Sequence, residues 1–149
     1  MKGRIFYVLF LTLAMFSIIA CKKKMTTTDT APKISNLDVS PQNMVEFVDS
    51  VEISFDYRDL EGNIGDEDPN KKSLKVKDSR LNTPDFYHIL PLTPRDKDYD
   101  IKGRLIVKLN SMFTLGNVGS EKFTLTVSLQ DNAGNFSNEL VSDSLQVVK

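Results

Sequence analysis

Val51-Glu52-Ile53-Ser54-Phe55-Asp56-Tyr57 alternates apolar and polar side chains without a break. Successive side chains of a strand point to opposite faces, so a period of two describes a strand with one buried and one solvated face. A second stretch repeats the pattern: Phe123, Leu125, Val127 and Leu129 alternate with Thr124, Thr126 and Ser128. Weaker runs of the same kind lie at 34–40, at 73–77 with Leu74 and Val76 inward, and at 86–92, 101–109 and 140–148. No stretch carries a helical period, and a short turn at 41–44 is the one local candidate.

Seven short strands joined by loops rich in Asn, Asp, Gly and Pro predict an all-β domain over 32–149, built as a single immunoglobulin-like antiparallel β-sandwich. The motif Asp131-Asn132-Ala133-Gly134-Asn135 lies between the last two strands. It resembles the Asp-x-Ala-Gly-Asn turn in the final hairpin of bacterial immunoglobulin-like extracellular domains. The local chemistry agrees: Asp131 is placed to accept amide hydrogen bonds, Gly134 to supply a positive φ and Asn135 to tolerate a left-handed conformation. The cysteine pair and core Trp of antibody domains are absent, as is a Tyr in the penultimate strand.

Ahead of the domain the chain changes character. Lys2 and Arg4 form a basic head, and 5–20 is apolar except for Thr12 and Ser17, which is the layout of a secretory signal peptide. Sixteen apolar residues are short for a membrane span, which needs about 20. The run ends in Ile18-Ile19-Ala20-Cys21, and Cys21 is the sole cysteine. This ending resembles the lipobox of bacterial lipoproteins. The resemblance implies a signal-peptide helix at 1–20, cleavage before Cys21, and lipid attachment at Cys21 with palmitate among the acyl groups. Residues 21–31 then form a lipidated, polar tether whose ten residues after Cys21 span at most about 35 Å. Lys22, Lys23 and Lys24 either meet anionic headgroups or simply keep the tether soluble.

Without residues 1–20 the chain has 17 basic and 20 acidic residues, a net charge of −3. No basic stripe interleaved with aromatics is present, so nucleic acid is not an expected partner. With Cys21 acylated no disulfide can form, and a domain of this length can bury enough apolar surface to do without one.

Three constellations carry candidate chemistry. Asp59-Leu60-Glu61-Gly62-Asn63-Ile64-Gly65-Asp66 follows the first alternating strand and resembles the Asp/Asn-rich calcium loops of bacterial secreted proteins. Hard cations require oxygen ligands at such spacings, which nominates Asp59, Glu61, Asn63 and Asp66, with a carbonyl near Ile64, as a calcium site. The alternative is an acidic loop whose Gly and Asn serve turn geometry alone. Tyr87 and Tyr99 are candidate ligand-stacking aromatics, against the alternative of core packing. His88, the sole histidine, would have to carry any Ser-His-Asp chemistry, and no Gly-x-Ser-x-Gly elbow accompanies it.

The chain most resembles the small cell-envelope lipoproteins of Gram-negative bacteria. That resemblance implies a non-enzymatic protein, lipid-anchored to the outer membrane on its periplasmic face or at the cell surface. Its partners would be the membrane and an outer-membrane protein complex, for which it acts as a binding or assembly module. The alternatives are a carbohydrate-binding accessory lipoprotein of a nutrient-uptake system and, further off, a small hydrolase centred on His88.

Overall fold

The computed structural model describes residues 30–93, 99–116 and 119–149; the expected signal-peptide helix, Cys21 and the tether to residue 29 lie outside them. Ten strands follow one another: β1 (Lys33–Ser40), β2 (Asn43–Val45), β3 (Val51–Asp59), β4 (Leu74–Asp78), β5 (Asp85–Tyr87), β6 (Ile101–Leu109), β7 (Ser120–Phe123), β8 (Leu125–Leu129), β9 (Leu140–Val141) and β10 (Leu145–Val148). Among the described residues there is no helix, hence none long and apolar enough to cross a membrane. The domain is all-β.

The strands form sheets of order β1-β3-β6, β2-β10-β7 and β5-β4-β8-β9. Every pairing is antiparallel except β2 with β10, which is parallel. Half of the turn expected at 41–44, Asn43 and Met44, thus belongs to strand β2. Pro41, reached through a cis Ser40–Pro41 bond, has no N–H to give a ladder, and the chain changes sheets there.

Two expected strands are each divided. The 123–129 run is β7 and β8, and the 140–148 run is β9 and β10. At the break side-chain hydroxyls take the place of half the main-chain partners, while Ser142 N still donates to Leu125 O and Ser79 N to Thr124 O. The Ser142 hydroxyl accepts from Leu125 N (3.0 Å), and Thr124 N donates to Ser79 Oγ (3.0 Å). Ser and Thr hydroxyls offer the backbone such local alternatives. The expected strand at 86–92 shrinks to β5, because 89–92 bonds to a loop instead: Asp66 N donates to Ile89 O and Leu92 N to Ile64 O.

The inward rows do what their alternation requires. Val51, Ile53 and Phe55 of β3 are fully buried, and so are Val127 and Leu129 of β8. They share one core with Leu74, Val76, Phe123, Leu125, Leu145 and Val147. Removing such side chains from water at about 25 cal/mol per Å² is the main favourable term for folding.

Register fixes the two ends of the domain. Lys33 pairs with Arg58, and Leu74 with Leu129, so the polypeptide enters beside the segments 60–73, 88–93 and 130–139. Val51 pairs with Leu109, and Asp78 with Leu125, which places the segments 46–50, 79–84 and 110–116 at the opposite end.

Candidate functional site

At the entry end, both central inward rows finish in an aspartate. Two residues past Tyr57 comes Asp59, and two past Leu129 comes Asp131; they are 1% and 5% exposed. Each staples the turn that follows it. Asp59 Oδ2 accepts from Asn63 N (2.9 Å), and Asp131 Oδ1 accepts from Asn135 N (2.7 Å). Both turns read Asp-x-x-Gly-Asn, with the glycine at positive φ: Gly62 at 66° and Gly134 at 91°. Glycine alone adopts that conformation without steric cost. The expected Asp131 and Gly134 roles hold. Asn135 differs, since it is not left-handed; its side chain donates instead to Asp131 Oδ2 (2.8 Å).

The two turns interlock. Ile64 bridges to Asp131, Asn132 N donates to Asn63 O (3.0 Å), and Asn132 Nδ2 to Gly65 O (2.8 Å). Thr93 Oγ1 donates to Gly62 O (2.5 Å). Burial pushes the Asp59 carboxyl up from 3.8, the amides of Asn63 and Glu61 pull it back, and the Asp131 charge adds to the rise.

Of the residues nominated for calcium, Asp59, Glu61 and Asn63 form one hydrogen-bonded string, with Asn63 Nδ2 donating to Glu61 Oε2 (3.1 Å). Asp66 has other partners: Oδ1 accepts from Asp68 N and Oδ2 from Lys71 Nζ, both at 2.9 Å. Among the described residues no three His, Cys, Asp or Glu side chains are grouped to hold a metal ion. Asn63 Oδ1 is buried without a partner. What the sequence did not show is the meeting of Asp131 with Asp59, which depends on two strands far apart in the chain. Its signal was the same alternation extended by one step.

A raised carboxyl pKa has a defined consequence. The folded protein then holds the Asp59 proton more tightly than the unfolded chain does. Stability from this group is present below pH about 4 and is lost as pH rises through the folded pKa. Asp59→Asn removes that titration while turning an acceptor into a donor, at a cost of about 1–3 kcal/mol. The expected result of urea unfolding between pH 3 and 7 is a penalty, relative to the parent, that is largest in acid and shrinks toward neutrality. A penalty that grows with pH contradicts the raised pKa.

Tyr87 and Tyr99 have different neighbours. Tyr87 lines a cleft of about 260 Å³ with Val76, Arg80, Leu109, Met112 and Phe113. Burial pushes its phenol up. Tyr99 lies with the entry-end loops, its N–H donating to Glu61 O (3.4 Å). His88 Nε2 donates to the Asp66 carbonyl (2.6 Å).

The opposite end is apolar on its surface. Phe47 and Phe113 stack with centroids 6.0 Å apart and planes 3° apart, and Val48 and Leu115 are exposed beside them in the sequence. Glu46 accepts from Thr114 N (3.0 Å) and Thr114 Oγ1 (2.8 Å), which ties these two loops together. Arg80 holds the other side: it donates to Asp78, to Glu121 and to the Phe113 carbonyl, and its guanidinium lies 4.2 Å from the Phe123 ring centroid.

No family model, curated protein or solved structure matches this chain.

Proposed function

We propose that this chain is a lipid-anchored binding or assembly module of the bacterial outer membrane, without enzymatic activity, held by lipid at Cys21. We further propose that its domain is an immunoglobulin-like sandwich. The strand order supports that fold reading. β1, β3 and β6 form one layer, and the divided hairpin of β7–β8 with β9–β10 joins the other two sheets into a second.

The observation that carries the functional reading is spatial. Polypeptide from the tether reaches Lys33 at one end of the domain, while Phe47, Val48, Phe113 and Leu115 are exposed at the other. A tethered domain of this kind points its apolar end away from the anchor. Exposed apolar groups next to a cleft are the usual form of a protein contact. The bonded Nε2 of His88 speaks for the non-enzymatic reading, and the packing of Tyr87 against the core counts against the carbohydrate-binding one.

Cys21→Ser tests the anchor. Expressed in a Gram-negative host, the parent is expected in the detergent-soluble membrane fraction with an acyl mass on Cys21, and the variant in the soluble fraction or as uncleaved precursor. Parent protein found soluble and unacylated sinks the reading. A cation role for the 59–66 loop stays within this proposal because Asn63 Oδ1 is buried without a partner. Calorimetric titration with calcium that gives no heat, with no rise in Tm at millimolar calcium, removes it.

A further inference from the structure

We propose that the free edge of β6 binds an extended, acid-bearing segment of a partner protein by strand addition. The inference rests on the binding-module reading and names the partner class. β6 has nine residues and pairs only with β3. A strand edge exposes unpaired N–H and C=O groups, and natural proteins protect long edges by covering, bulging or shortening them. The other edges are protected in those ways. β1 is bulged between Ser35 and Asp38, and Asn138 closes it by binding both N and O of Ile34, at 3.0 and 2.9 Å. β2, β5, β7 and β9 have four residues or fewer. Among the described residues, β6 is the one long edge left open.

Its side chains specify the occupant. The outward row is Lys102, Arg104, Ile106 and Lys108, all exposed; Arg104 is tied to Asp56 (2.9 Å) and Ser54 (2.8 Å). Ile101, Leu105 and Val107 face inward but are only half-buried, as if one strand short of full cover. At the end of β6, Leu109 leads into the cleft that contains Tyr87 and Met112. Strand addition takes its affinity from main-chain bonds and its specificity from alternate side chains. The matching segment therefore alternates acidic and apolar residues.

A second copy is the wrong occupant. In the antiparallel register that pairs two whole β6 strands, Lys102 meets Lys108 at both ends. Slipping by two residues sets Arg104 opposite either Arg104 or Lys108. Like charges directly opposite destabilise a pair, so this edge rejects itself and leaves an acidic strand as its complement.

The test uses the full chain in a neutral detergent with a labelled short peptide alternating Glu and Val. Fluorescence anisotropy is expected to show it binding at least about tenfold more tightly than the same peptide with Lys for Glu, a difference of about 1.4 kcal/mol. Methylating alternate peptide amides is expected to cost a further tenfold or so, since the ladder bonds are lost while the charges remain. Amide exchange is expected to slow across 101–109 alone, and Lys102→Glu with Lys108→Glu to reverse the charge preference. Equal binding of the methylated peptide overturns strand addition in favour of charge contact alone. No slowing at 101–109 also overturns it. So does protection of β6 in the free protein that rises with concentration, because the occupant is then a second copy. None of these readouts depends on acylation of Cys21, so failure here and failure of the anchor reading are distinguishable.

Discussion

Gly65→Ala is expected to destabilise the domain by about 2–5 kcal/mol, combining overpacking with left-handed strain. Gly65 sits at φ 84°. A Cβ there would fall on the Leu90 carbonyl oxygen, 2.7 Å from the Leu90 carbonyl carbon and 2.9 Å from Ile89 O. All three atoms are backbone, so no side chain can swing aside. The flanking bonds hold both segments in place: Asp66 N to Ile89 O at 3.0 Å, Leu92 N to Ile64 O at 3.2 Å. Gly134→Ala provides the control. It shares the positive φ, but its added Cβ would meet nothing closer than Gln130 Nε2 at 3.9 Å, so only conformational strain of about 1–2 kcal/mol remains. Urea midpoints of the two variants decide the matter. Equal losses would mean that 89–92 does not pack on Gly65 as described.

Arg80→Ala is expected to cost about 3 kcal/mol and to loosen the apolar end as a unit. The Arg80 side chain is 12% exposed and Asp78 8%. Removing one partner of a buried pair strands the other charge, which costs more than the pair itself contributes. The guanidinium also orders the 110–116 loop through the Phe113 carbonyl (3.0 Å), while Glu121 accepts from Leu115 N (2.9 Å) and Gly116 N (2.7 Å). Faster amide exchange is therefore expected at 113–116, with Asp59 and Asp131 at the far end unaffected. Arg80→Lys is expected to recover only part of the loss. An ammonium lacks the planar fork that reaches Asp78, Glu121 and a carbonyl together. Full recovery by Lys would reduce the role of Arg80 to charge alone.

Much of this fold is legible in the alternation. The 51–57 and 101–109 runs correspond to β3 and β6. The first alternates strictly, as a half-buried strand must, and the second still reads as a strand despite the continuous Leu105-Ile106-Val107. The divided strands were not legible. Where Ser142 and Ser79 hydroxyls replace main-chain partners, the sequence still reads as one continuous pattern. The 89–92 run failed for a related reason: Ile89 is buried, but against a loop rather than in a ladder, and periodicity reports burial without naming the partner. In the candidate site, the stapling role of Asp131 followed from local turn chemistry. The role of Asp59 did not, since nothing in its own loop announces a second buried carboxylate.

By itself the sequence determined the period-two rows and the glycines that the turns require, because each depends on neighbours a few positions away. Only the tertiary structure decided that Asp59 and Asp131 share one interior, that Tyr87 packs against the core while Tyr99 joins the entry-end loops, and that, among the described residues, β6 keeps a long unpaired edge and a basic outward row. Those facts depend on register between strands distant in the chain. A strand's pattern says which face is buried but leaves open what lies beside it.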